Sequence, residues 1–257
     1  MEEGKYIYCI IHQGQRLEFG PIGIGERGDT VYTVGFQEIG AVVSSSPLKK
    51  YSTSRVHFIA HERVIEAVMQ QYTVLPVRFS TIADKEDDLK KILASKYETL
   101  VSLLNEMQDK KELGLKTIFK EAAIYQHILK KHDAIRALKE KIASWPPAKA
   151  YYQQIEIGKM VESALQAERA IYHEEFLAAL SPLAVKVKTN DPYGERMITN
   201  AAFLIEKHRE PEFDQAINAL ADKYEDTIIF KYVGTLPPSN FVNLVIETKG
   251  WGDVSHR

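Results

Sequence analysis

Cysteine is almost missing from this chain: Cys9 is the only one in 257 residues, so no internal disulfide and no cysteine-based metal cluster can form. Its setting, the apolar run Tyr6-Ile7-Tyr8-Cys9-Ile10-Ile11, makes it a buried strand residue. Long hydrophobic runs are missing as well. No uncharged apolar stretch approaches the roughly 20 residues that cross a bilayer as a helix. The opening Met1-Glu2-Glu3-Gly4 lacks the basic start and apolar stretch of a secretory signal. The expectation is a cytoplasmic protein with no membrane partner. There is no excess of charge of one sign either. With 33 basic and 35 acidic side chains the net charge is −2, too weak a field to recruit nucleic acid or anionic lipid.

Catalytic and cofactor signatures are equally scarce. Gly23-Ile24-Gly25-Glu26-Arg27-Gly28 fits the G-x-G-x-x-G spacing that brings backbone against a dinucleotide pyrophosphate. The next residues, Asp29-Thr30-Val31-Tyr32-Thr33-Val34, are strand-like, so no helix N-terminus is offered to a phosphate. His57 and His61 stand four apart on a helical segment with Glu62 adjacent, but the order H-x-x-x-H-E is not a zinc-protease motif and no third ligand lies nearby in sequence. A structural or interfacial role suits them better. His127 and His132, five apart, diverge on a helix. The carboxylates Glu86-Asp87-Asp88 and Glu174-Glu175 read as solvated helix surface. No G-x-S-x-G elbow occurs, Ser44-Ser45-Ser46 reads as a loop before Pro47, and no RNA-binding basic-aromatic strand is found. No catalytic residue, metal ligand or cofactor is assigned, and the chain is expected not to be an enzyme.

What is present is an ordinary globular composition, 45% hydrophobic and 26% charged, in a chain long enough for two domains. Strands are read at Lys5–His12, Thr30–Phe36 and Ile39–Ser45. A helix from about Ser54 comes after them, with Val56, Ile59, Ala60, Val64, Ala67 and Val68 as its apolar positions. Thr73–Phe79 is a strand whose Pro76 favours a sheet edge or bulge. One long amphipathic helix is read from Asp84 to Met107, then a strand at Lys111–Lys120. Helices at Glu121–Ala143 and Ala150–Leu180 come next, parted by Trp145-Pro146-Pro147. The chain continues with strands at Ala184–Thr189 and Arg196–Lys207, a helix at Glu212–Tyr224 and a strand at Thr227–Val233. From Lys111 this is the βαββαβ order of a ferredoxin-like sandwich with a helical insertion in its first crossover. The fold class is therefore α+β in two domains. Residues 1–110 form a smaller domain of reduced ferredoxin-like type, with the Gly-rich loop in place of its first helix and a long linking helix. Residues 111–246 form the ferredoxin-like domain, and 247–257 a mobile tail.

Two segments are more specific than a generic domain requires. One is His61-Glu62-Arg63-Val64-Ile65-Glu66-Ala67-Val68 together with Thr73-Val74-Leu75-Pro76-Val77-Arg78-Phe79-Ser80-Thr81; the other is Gly234-Thr235-Leu236-Pro237-Pro238-Ser239-Asn240-Phe241-Val242-Asn243-Leu244, read as a rigid exit into a last apolar strand. Together with the Tyr-x-Tyr strand and Ile39–Ser44, they resemble the gas vesicle protein family GvpF/GvpL, from Tyr6 to about Ile246. Relatives often carry Gly where this chain has Ser80, and Trp where it has Leu236. The resemblance implies a non-enzymatic accessory or minor structural protein of gas vesicle assembly. The implied partners are the hydrophobic major shell protein and other gas vesicle accessory proteins, and the implied location is the gas vesicle. Arg78, Phe79, Pro237, Pro238 and Phe241 are the candidate partner-binding residues, as anchor types on an edge strand and a rigid exit. A small-ligand-binding or scaffold protein built on ferredoxin-like domains is the alternative.

Overall fold

The computed structural model describes residues 2–246 apart from Glu26 and Lys50. The expected tail at 247–257 lies outside the described residues. The chain divides into two compact units, one made of residues 1–112 and 235–257, the other of Leu113–Gly234. Residues 235–246, expected in the second domain, are grouped with the first, because Asn240 bonds to Glu112 and Leu244 bridges to Val77.

In the first unit, β1 (Glu3–Ile11), β2 (Glu18–Gly20), β3 (Val31–Phe36), β4 (Ile39–Pro47), β5 (Val74–Pro76) and β6 (Ile82–Ala83) form one sheet. Its order is β2-β3-β4-β1-β5, with β6 also pairing β1. Leaving β2 and β6 aside, this is the second-third-first-fourth order of a ferredoxin-like sheet, and residues 12–30 stand where a first helix would be. β1 is central, which explains its unbroken apolar run: Tyr6 through Ile11 are all fully buried. A β-bulge against β4 falls between Ile7 and Cys9. It shifts the alternation, so Tyr6 and Tyr8 share one core cluster with Cys9 and Ile11. Burial also pushes the Cys9 thiol far up.

Helix α1 (Arg55–Met69) begins at Ser54, whose side chain accepts a bond from the His57 N–H. Replacing Ser54 by Ala should cost about 0.5–1 kcal/mol, and Ser54→Asp little or nothing, as read by urea denaturation. The apolar face differs from the one expected from the sequence. His61, Val64, Ile65 and Val68 are buried, whereas Val56 and Ile59 are exposed by 57% and 54%. The single long helix expected after Asp84 is two helices, α2 (Glu86–Ser95) and α3 (Tyr97–Met107), separated at Lys96 with φ −111° and ψ 10°. The break lets both buried stripes, Leu89/Leu93 and Leu100/Leu104/Met107, meet the sheet. The serines expected in a loop lie on β4, with Ser44 and Ser46 buried.

The second unit is built on β7 (Lys110–Phe119), β8 (Lys186–Thr189), β9 (Met197–Glu206) and β10 (Ile228–Leu236), in the order β10-β7-β9-β8. That is fourth-first-third-second, the ferredoxin-like order. Its helices are α4 (Glu121–Lys131), α5 (Asp133–Ile142), α6 (Pro147–Leu180) and α7 (Glu210–Lys223). The helix expected over Glu121–Ala143 is interrupted at His132, which takes an extended backbone (φ −114°, ψ 90°). Pro147 starts α6 in its first turn, where a missing N–H is harmless. The core gathers Phe119, Phe176, Phe203 and Phe213 with Ile124, Ile128, Leu165 and Leu180.

Candidate functional site

The two specific segments of the sequence converge within the first unit. β5 ends at the buried Pro76 on the edge of the sheet, where a residue lacking an N–H is tolerated. The Val77 N–H continues the pairing by donating to the Tyr8 carbonyl at 2.9 Å. Leu244 then comes back beside Val77 as an isolated parallel bridge. The last apolar strand expected after Pro238 is reduced, among the described residues, to that bridge. Between α1, the Pro76–Phe79 segment and the returning chain runs a groove of about 240 Å³, lined by Phe58, His61, Glu62, Phe79, Val242 and Leu244 among others.

A chain of hydrogen bonds holds its floor. The Ser80 N–H donates to Tyr6 Oη at 2.8 Å, and Tyr6 Oη lies 3.1 Å from His61 Nδ1. The His61 ring also bonds to the Val77 backbone. A consistent proton assignment has the Tyr6 hydroxyl donating to Nδ1 and the Nε2–H donating to the Val77 carbonyl. Burial holds His61 at about 4, below its ordinary 6.5, against the opposing effect of that backbone bond. The imidazole is therefore neutral and structural. His57 and His61 do not share a site: His57 packs edge-on to Tyr51 and bonds to Ser52, while His61 is buried. Ser80 sits at φ 65°, a left-handed backbone that explains why glycine suits this position. Its hydroxyl accepts from the Tyr51 N–H at 3.1 Å.

The residues singled out by sequence take distinct places. Arg78 is exposed and donates to Asn243 Oδ1 at 3.1 Å. Phe79 is half-buried, stacked on Phe58 with centroids 4.9 Å apart and planes 17° apart. Its ring also meets Tyr6 and His61 edge-on. Pro237 and Pro238 are buried, and the Pro238 carbonyl accepts from the N–H groups of Phe241 and Val242 at 3.0 and 2.9 Å. These prolines shape the turn. Phe241 is half-buried, and Val242, Asn243 and Leu244 line the groove in its stead. The segment is clamped by the buried Glu112 carboxylate, which accepts from the Asn240 backbone N–H at 2.9 Å and from its side-chain amide at 2.6 Å. Burial raises the Glu62 carboxyl, with Glu66 and Glu112 adding to the effect.

Sequence reasoning missed the exposure of apolar side chains at the start of α1. Val56, Phe58 and Ile59 are exposed by 57%, 45% and 54%, and of the three Phe58 lines the groove. Apolar periodicity marks such residues without saying whether they face core or solvent. Within the G-x-G-x-x-G stretch, Gly25 and Gly28 take φ 93° and 71°, and Ile24 is buried with its N–H donating to Tyr8 Oη at 2.7 Å. Among the described residues no three His, Cys, Asp or Glu side chains are grouped to hold a metal, and no helix is long and apolar enough to cross a membrane.

Residues 4–243 match the family model for gas vesicle synthesis protein GvpL/GvpF. The chain is 28% identical over 251 residues to gas vesicle protein F of Nostoc sp., covering 95% of this chain and 100% of that protein. It is 26% identical to gas vesicle protein F of Haloferax mediterranei, covering 96% of both. Among solved structures it is similar to the gas vesicle protein GvpF of Anabaena sp., with a TM-score of 0.78 at 25% identity, over 95% of this chain and 100% of that one. GvpF from Microcystis aeruginosa shares the fold, with a TM-score of 0.74 at 23% identity, over 94% and 99% of the two chains.

Proposed function

This chain belongs to the GvpL/GvpF family of gas vesicle synthesis proteins, and from that premise we propose that it is a non-enzymatic assembly protein that binds the hydrophobic major shell protein of gas vesicles. A role in gas vesicle assembly comes with membership. Capture of the shell subunit, other accessory proteins as further partners, and a cytoplasmic site of action at the vesicle are our extension of it. A shell subunit exposes apolar surface before it is built into the wall and would aggregate if left uncovered. The observation that supports capture here is the apolar exposure at the start of α1, Val56, Phe58 and Ile59, with Phe58 stacked on Phe79. An apolar helix face next to a groove is a usual way to hold an amphipathic segment, and the exposed Arg78 supplies a cationic rim.

The test is co-expression with the major shell protein, then pull-down and a measurement of shell protein kept soluble. The wild-type chain should capture it. The double variant Val56→Asp/Ile59→Asp changes only exposed side chains, so it should fold normally and capture at least about tenfold less. Equal capture by that variant would remove the exposed Val56 and Ile59 side chains of α1 from the reading. No capture by the wild type would remove the shell protein as partner.

A further inference from the structure

Gln166, Arg169, Ala170 and His173 share one face of α6 by their spacing of three and four residues. That face lines an open cavity of about 460 Å³ within the second unit, bounded on its other side by the β8–β9 connection and β9. The cavity is built rather than incidental. The Asn190 N–H donates to the Asn200 carbonyl at 2.7 Å, and Asn200 Nδ2 donates to the Asp191 carbonyl at 3.1 Å, which fixes the connection against the strand. Beneath it, the fully buried Thr199 donates its N–H to Thr117 Oγ1 at 3.1 Å, and Thr199 Oγ1 lies 3.0 Å from His173 Nδ1. With the Thr199 hydroxyl donating to Nδ1, His173 carries its proton on Nε2, the nitrogen left for the cavity.

Arg169 stands out by contrast with its neighbours. Next to it, the buried Glu168 bonds to Lys131 at 2.5 Å and His127 at 3.2 Å. Arg196, Arg209 and Lys223 of the same unit pair with Glu121, Glu212 and Glu175. Arg169 is half-buried and has neither an ion pair nor a hydrogen bond among the described residues. A guanidinium offers a planar fork of donors matched to an oxyanion.

We infer that this cavity binds a carboxylate, with Arg169 gripping its two oxygens and His173 Nε2–H and the Gln166 amide completing the polar contacts. Ala170 and Ile198 offer a short apolar body a place to lie. The exposed carboxylate of Asp191 borders the same cavity, and its charge favours a singly charged ligand over a dianionic phosphate. The site shares no residue with the groove on the first unit, so it stands or falls apart from shell binding.

The test is calorimetric titration of the full chain with 3-hydroxybutyrate, with a tripeptide bearing a free C-terminal carboxylate, with the same tripeptide amidated, and with inorganic phosphate. At least one of the two acids should bind with a dissociation constant of about 1 mM or tighter. A response to hydroxybutyrate marks a free small acid as the source of the carboxylate. A response to the free-acid tripeptide alone marks a chain end. Arg169→Gln should weaken the acid about tenfold or more, and Gln166→Ala, at an exposed position, about threefold, with unchanged thermal unfolding. Three outcomes would each overturn the inference: neither acid binding at about 10 mM, both variants binding like the wild type, or phosphate or the amidated peptide binding as well as the acids.

Discussion

Truncating Phe176 to Ala should lower the unfolding free energy of the protein by about 3–5 kcal/mol in urea titration. The ring is fully buried on α6. It meets Tyr224 at 5.7 Å and Phe230 at 5.2 Å between ring centroids, with Tyr172 at 6.2 Å. Its removal would leave a cavity bounded by rigid aromatic rings drawn from α6, the end of α7 and β10, elements with little freedom to collapse into it. Phe176→Leu keeps more of the volume and should cost clearly less. A loss below about 1 kcal/mol for the alanine variant would show that the aromatic cluster is not the keystone of the second unit's core.

The second large effect is a pH dependence carried by His61. Folding lowers this group from its ordinary 6.5 to about 4, so between those values the unfolded chain binds the proton more readily than the folded one. Its stabilising contribution is complete above about pH 6.5 and is lost as pH falls toward 4. The size is on the order of 3 kcal/mol. The measurement is chemical denaturation of the wild type and of His61→Gln at pH 7, 5.5 and 4.5. The advantage of the wild type over the variant should shrink steadily as pH falls, whereas a constant difference would mean that His61 is not held neutral. Protonation would set an uncompensated charge among Tyr6, Tyr8 and Phe79, directly under the groove. Acidification should therefore loosen the groove before the second unit responds.

Much of this architecture was legible from local pattern. The strands at β1, β3, β4, β7, β8, β9 and β10, the Ser54 cap, the edge position of the Pro76 strand and the βαββαβ order of the second unit all derive from apolar periods of 2 and 3.6 with their punctuation. The helix breaks at Lys96 and His132 were not legible, because neither carries a glycine or proline. Each arises where two amphipathic stripes must turn to reach the core. The outward placement of Val56 and Ile59 was hidden for a related reason: an apolar side chain looks the same in sequence whether it packs inward or waits for a partner.

The candidate site shows the same division. By itself the sequence determined the fold class and the kinship with gas vesicle proteins, and it singled out the H-E-R-V and V-L-P-V-R-F segments, since these are properties of short windows of residues. Only the tertiary structure decided that Tyr6 meets His61 across 55 residues, that Ser80 meets Tyr6 across 74, and that Asn240 is clamped by Glu112 across 128. Only the tertiary structure, too, set the Arg169 and His173 face of α6 opposite the β8–β9 connection to bound a cavity. Pairings at such separations depend on closing long loops onto a packed core. Local periodicity reports which face of a segment is apolar and carries no record of what that face will touch.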